Sequence, residues 1–377
     1  MSFVTLSYVL CLFAMHTFFA SYYMSVITVP ESLIGQQEWL IGLIVGIMGI
    51  TGMLTRPIVG VLLDIQFPKK FFLITGSLGV AISFLGYSFS DDLIVMALFR
   101  LLQGASTAMF TTTLSVVVSG YVPNEKRGIG LGIFQSSSAL SQVYAALLAV
   151  WIVTQFSISF GFTISAIFSL LAGFFSLWLK IDRQPIQNKE FNFRQAHWVS
   201  THGLVPFLIF TSQTLTFGSI IAFLPSICLE RDLGNPGLFY TIYALTMLFA
   251  RSLSGYLSDI FGRKKVIIPA LFSSTFALLI IAFAQSQILL LLAAVLYGIG
   301  FASVQVVGFA ILVDTTPKKF HGSALATYTN AWDVGGLLGG VVIGIVIAFF
   351  DFRTAFVFCS LLPMASLFML KKLRTEQ

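Results

Sequence analysis

Charged residues in this 377-residue chain are spaced so widely that apolar runs of about twenty residues or more separate them. That is the length an α-helix needs to cross a hydrocarbon layer of ~30 Å. The runs do not alternate apolar and polar residues as the strands of an outer-membrane barrel do. With 10% of residues charged and 57% hydrophobic, the chain falls far from the quarter-charged average of soluble domains and from the polar, charged composition of disordered ones. The expected class is an all-α integral membrane protein that crosses the bilayer many times.

Cutting at charges and at turns marked by Pro and Gly predicts spans near 4–30, 39–63, 71–89, 93–121, 129–153 and 159–179. A second set follows near 202–230, 237–258, 266–285, 288–314, 322–349 and 354–370. The expectation is twelve transmembrane helices in two pseudo-symmetric six-helix bundles, residues 1–180 and 201–377, joined by a polar linker over 181–200. The first Lys or Arg is Arg56. The opening apolar run therefore lacks a basic n-region, is too long for a signal peptide, and reads as a span. Cys11, Cys228 and Cys359 each fall in an apolar run and read as small core hydrophobes.

Lys and Arg set the orientation. With the N-terminus inside, the inner segments hold Lys69, Lys70, Lys126, Arg127, Arg263, Lys264, Lys265, Lys318, Lys319, Lys371, Lys372 and Arg374, and the linker adds Lys180, Arg183, Lys189 and Arg194. The outer loops hold only Arg231 and Arg353 among several acids. Both termini are expected in the cytoplasm of a plasma (bacterial inner) membrane. The net charge of +6 is then a topology signal, and nucleic acid is not an expected partner.

RPIVGVLLDIQFPKK (Arg56 to Lys70) and RSLSGYLSDIFGRKK (Arg251 to Lys265) share seven of fifteen residues. Both close an even-numbered span and enter an inner loop. A repeat of the same orientation implies two halves related by an axis along the membrane normal, with a cavity between them. The segments resemble the loop signature G-x-L-x-D-R-x-G-R-K of the major facilitator superfamily. The second copy matches at Gly255, Asp259, Gly262, Arg263 and Lys264, with Ile260 for the first Arg. The first keeps Gly60, Asp64 and Lys69, with Ile65, Phe67 and Pro68 where Arg, Gly and Arg are usual. The resemblance implies a gating role for these residues together with Arg56, Lys70 and Arg251, holding the cytoplasmic side closed in one state of the cycle. Physically, Gly allows close helix approach, and an Asp at a helix end can meet the free N–H groups of a facing helix.

Ionisable residues within spans mark function by default. Three qualify: His16, Arg100 and Asp333. Arg100-Leu-Leu-Gln103-Gly104 resembles the R-x-x-Q-G signature of proton-coupled exporters in the same superfamily, and Arg100, Gln103, Thr107 and Thr111 share one helical face. That face must look at a cavity or at another helix. An Arg stays charged, so it can hold an anionic group or tune a nearby acid without carrying the proton. Asp333 lies in Asn330-Ala-Trp-Asp333-Val-Gly-Gly, similar to an F-D-x-G-x-x-x-G pattern of bacterial efflux members. It is the first candidate for proton binding, the other reading being a packing latch. Glycines around it are expected to pack against Gly42, Gly46 and Gly49 of the second span. His16, at a similar depth, either exchanges protons in the physiological range or hydrogen-bonds across helices.

Gln135, Gln142, Gln213, Tyr297, Gln305 and Asn330 join Arg100, Gln103 and Thr107 as candidate substrate-cavity residues, each of which could equally be helix–helix glue. Scattered polar groups among aromatics suit an amphipathic organic molecule better than a sugar. The fifth span lacks the Gly-Pro pair usual in antiporters of the superfamily. No G-x-x-x-x-G-K-[ST] loop occurs, His and Cys are too scattered for a metal site, and no nucleophile–base grouping suggests an intramembrane enzyme. The sequence therefore predicts a secondary transporter without cofactor or metal, functional as a monomer with a small-molecule substrate, protons and the lipid bilayer as partners. Proton-coupled export is the first reading, and import or facilitated passage of a metabolite on the same fold is the alternative.

Overall fold

The computed structural model describes residues 5–64, 67–90, 92–123, 127–181, 204–316, 324 and 327–370, excluding the side chains of 64, 127–129, 131 and 132. The described residues are helical apart from short connections. The helices, in order, are α1 (Leu6–Ser32), α2 (Glu38–Gly46), α3 (Met48–Asp64), α4 (Lys69–Phe89), α5 (Leu93–Tyr121), α6 (Arg127–Gln155), α7 (Ile158–Leu177), α8 (Leu204–Glu230), α9 (Pro236–Phe261), α10 (Arg263–Phe283), α11 (Gln287–Thr315), α12 (Ala331–Phe349) and α13 (Phe352–Leu370).

Among the described residues, eleven segments are long and apolar enough to cross a membrane. They coincide with eleven of the expected spans; the expected linker lies outside the described residues beyond Ile181. The remaining expected span corresponds to α9, which is 26 residues long but carries Arg251, Asp259 and three serines. One departure is local. The second span breaks at Ile47, so that α2 packs on α12 and α8 while α3 packs on α5.

Helix starts follow from local chemistry. Asp92 caps α5 by accepting from the N–H groups of Ile94 and Val95, and Ser157 and Ser286 do the same for α7 and α11. These caps satisfy N–H groups that a helix start leaves unpaired. Gly262, at φ +92°, joins α9 directly to α10, a backbone region that side chains other than glycine's rarely enter.

The chain forms two compact units, Met1–Thr28 with Ile47–Ala196, and Val29–Gly46 with His197–Gln377. In the first, α4 packs on α5 and α7, and α3 on α5. In the second, α11 lies between α9 and α10, and α12 packs on α8 and α2. A glycine seam joins α2 to α12: a methyl group built on Gly42 would overlap the Gly340 carbonyl, and one on Gly46 would come within 2.8 Å of the Leu337 oxygen. The expected pairing of these two spans is thus present at Gly42 and Gly46. Backbones this close gain van der Waals contact that larger side chains would prevent.

Candidate functional site

In the first unit, Arg100 is buried and its Nη1 donates to Gln103 Oε1 at 2.8 Å, an oxygen that also accepts from Tyr87 of α4 at 2.8 Å. The polar face of α5 therefore looks at another helix here. The glycine that follows has its own reason: a methyl on Gly104 would overlap the Met48 carbonyl of α3. Gln103 is fully buried, and its Nε2 has no partner among the described residues. Thr107 is buried, and its carbonyl accepts from Thr111, whose hydroxyl in turn accepts from Arg56 Nη1 at 3.1 Å.

His16 sits between two groups of α6. Its Nδ1 lies 3.0 Å from the Ser137 carbonyl oxygen and its Nε2 2.9 Å from the Tyr144 hydroxyl. A carbonyl can only accept, so Nδ1 carries hydrogen and Nε2 accepts from Tyr144 in the neutral ring. Gln142, on the same helix, is buried with no partner for its Oε1 among the described residues, whereas Gln135 is exposed.

In the second unit, Gln213 and Tyr297 are fully buried. Gln213 Oε1 accepts from Ser274, and its backbone oxygen accepts from Tyr297, whose hydroxyl is also bonded to Thr216. Around them Phe210, Phe217, Tyr243, Phe301, Tyr328 and Trp332 form one continuous set of ring contacts with centroids 4.8–6.5 Å apart. Of these only Trp332 is half-buried. Gln305, also half-buried, accepts from Arg251 Nη2 at 2.9 Å, and its backbone oxygen accepts from Tyr328. Asn330 and Asp333 are half-buried at the start of α12, Asp333 in its first turn.

At the start of α10, Arg263 binds Asp259, Ser258 and Asp314, the last at 3.0 Å. Among the described residues, Asp259 thus meets the next helix through an arginine side chain. Lys264 is half-buried beside it. In the first copy, Lys70 donates to the Leu177 carbonyl at the end of α7 at 2.8 Å, while Lys69 opens α4 and the Asp64 side chain lies outside the described set. Among the described residues neither Gly60 nor Gly255 marks a close approach: a methyl on Gly60 would meet none of them within 4 Å, and one on Gly255 would meet Val306 at 3.6 Å. Between α12 and α13, Asp351 accepts from the Thr354 N–H at 2.6 Å. That bond, then the Thr354 hydroxyl and more weakly Arg353 and Arg231, holds its carboxyl below the usual carboxylate range.

Sequence reasoning did not single out Tyr87 or Tyr144, because each becomes a partner only through tertiary packing.

Residues 9–234 and 207–377 match the family model described as Major Facilitator Superfamily. The chain is 25% identical over 351 residues to the staphylopine export protein of Staphylococcus aureus, an overlap of 89% of this chain and 87% of that protein. It is 26% identical over 362 residues to the multi-drug resistance efflux pump PmrA of Streptococcus pneumoniae, covering 91% and 88%. Its fold matches the crystal structure of the nucleoside transporter NupG with a TM-score of 0.78, at 15% identity over 98% of this chain and 100% of that one.

Proposed function

Because this multi-pass membrane chain belongs to the Major Facilitator Superfamily, we propose that it exports a small amphipathic or anionic organic compound in exchange for protons. The architecture of this reading is twelve spans in two six-helix bundles, 1–180 and 201–377, with the linker and both termini on the cytoplasmic side of a bacterial inner membrane, working as a monomer. Relatives named for export and efflux support the direction.

The observation that carries proton coupling is His16. Its neutral ring spends Nδ1–H on Ser137 and accepts from Tyr144 at Nε2. A proton arriving at Nε2 turns that nitrogen into a donor, and Tyr144 must then rotate its hydroxyl to accept. Protonation therefore rewrites a bond between α1 and α6, and a proton favours whichever conformer better accommodates the rewritten bond. Asp333, the first candidate from the sequence, is the other proton-binding group of this reading. The other polar candidates in the spans (Arg100, Gln103, Thr107, Gln135, Gln142, Gln213, Tyr297, Gln305 and Asn330) bind substrate or hold the faces around it. The repeated inner segments gate alternating access with the glycine seam between α2 and α12.

The test is collapse of a preformed pH gradient in everted membrane vesicles by a panel of organic anions and cationic dyes. Wild type should respond to at least one compound, and Asp333→Asn or His16→Ala should alter the pH dependence of the response. If neither variant differs from wild type, proton binding at both residues is wrong. Silence toward the whole panel, with uptake of a metabolite in intact cells, would establish import instead.

A further inference from the structure

One arginine of the second unit lacks the counter-charges that another has. Arg263 is held by two carboxylates and a serine. Among the described residues Arg251 has neutral partners only: its Nη2 donates to Gln305 Oε1 at 2.9 Å and lies 3.5 Å from Met247 Sδ. Its Nε is buried with no acceptor among the described residues. No carboxylate lies within ion-pair distance of it there.

Depth makes this costly. Arg251 lies ten residues before the end of α9 at Phe261, or ~15 Å at 1.5 Å per residue. Its guanidinium turns sideways to Gln305, which is itself ten residues before the end of α11 at Thr315. Snorkelling to the interface is therefore not what this side chain does. A charge held at such depth by neutral groups, with one N–H unsatisfied, carries a desolvation penalty that an anion would relieve.

We propose that Arg251 and Gln305 form an oxyanion subsite that takes the carboxylate of an amphipathic, preferably aromatic, monoanion. The planar guanidinium offers N–H groups spaced for the two oxygens of a carboxylate or phosphate. Gln305 commits its side-chain oxygen to Arg251, leaving its amide N–H groups as further donors. One helical turn before Gln305 on α11 is Phe301, whose ring lies 5.4 Å from that of Trp332. Trp332, the half-buried ring of the aromatic set, supplies an apolar edge for the ligand body. The subsite narrows the substrate class of the transport reading and rests on it for its physiological meaning; binding itself does not require transport.

The test is titration calorimetry of the purified full-length protein in detergent with benzoate, phenylphosphonate and the neutral isostere benzamide. Wild type should bind benzoate at least tenfold more tightly than benzamide. Arg251→Gln should weaken benzoate binding at least tenfold without changing benzamide binding. Arg251→Lys, which keeps the charge, should fall between, and also serves if the glutamine variant fails to elute as a folded species. Arg353→Gln, in the first turn of α13, should bind benzoate like wild type. Tighter binding of phenylphosphonate than of benzoate, lost in the same variant, would keep the oxyanion site and assign it to phosphate-type ligands.

Equal binding of acid and amide by wild type, or no binding of either anion, overturns the proposal. So does benzoate binding that survives Arg251→Gln, since the arginine would then only tie α9 to α11. Arg251-dependent binding without proton-coupled transport would leave the subsite and sink the transport reading. Gradient collapse without Arg251-dependent binding would do the reverse.

Discussion

Arg56 reaches from α3 to Thr111 of α5, and Arg251 reaches from α9 to Gln305 of α11. Each acceptor stands ten residues before the end of its helix, at Tyr121 and Thr315. The correspondence continues upward, where Gly104 faces the Met48 carbonyl and Gly298 the Tyr243 carbonyl. Past Asp64 and Asp259 the copies part. The first closes with aromatics: Phe67 packs on Phe71 and Phe72 with centroids 5.5 and 5.2 Å apart, against a buried cluster of Val59, Leu63 and Phe72. The second closes with charge, Arg263 between Asp259 and Asp314. Among the described side chains, the same register is thus fastened once by packing and once by ions, and the two fasteners should answer to different perturbations.

Truncating the packed fastener should have the largest effect. Phe72→Ala is expected to cost about 3 kcal/mol through the cavity it leaves, visible as a lower melting temperature that does not change with salt. The paired glycines should rank next and unequally. Gly104→Ala forces a methyl into the Met48 carbonyl and should cost about 2–3 kcal/mol. Gly298→Ala, whose methyl would sit 2.9 Å from both the Tyr243 oxygen and Thr246 Cβ, should cost less in the same thermal assay. Reversal of that order would mean that the two halves do not share this contact.

The ionic fastener should be weaker. The side chains of Asp259 and Asp314 are 69% and 52% exposed, so Arg263→Gln should cost under about 1 kcal/mol. The difference from wild type should fade near 1 M salt, where the screening length is ~3 Å. Smallest of all should be Gly60→Ala and Gly255→Ala, within about 0.5 kcal/mol of wild type, because neither methyl would meet a close neighbour.

These last two glycines show where sequence reading runs short. The repeat, the span positions and the membrane class were legible because hydropathy over about twenty residues is a property of the chain itself. The meaning of individual small and polar residues was not. Gly60 and Gly255 look like close-approach positions from their motif, yet the close approaches are at Gly42, Gly104 and Gly298. Gln103 and Gln213 read from the sequence alone as either cavity residues or helix glue, and the packing shows each fully buried and bonded to a neighbouring helix. One helical face can serve a ligand or a neighbour, and only the packing of the next helix decides between them. The Ile47 break was equally invisible, since the residues on both sides are apolar and no Pro or charge marks it.

The claim on which the account most depends is that substrate movement and proton movement are one process. Its most direct measurement is internal pH in proteoliposomes of purified protein loaded with a pH-sensitive dye, with a compound that collapsed the vesicle gradient added outside. Coupled exchange predicts a pH change that requires both compound and protein, is abolished by a protonophore, and shifts its pH dependence in His16→Ala or Asp333→Asn. Compound uptake at the wild-type rate with no change in internal pH would contradict it.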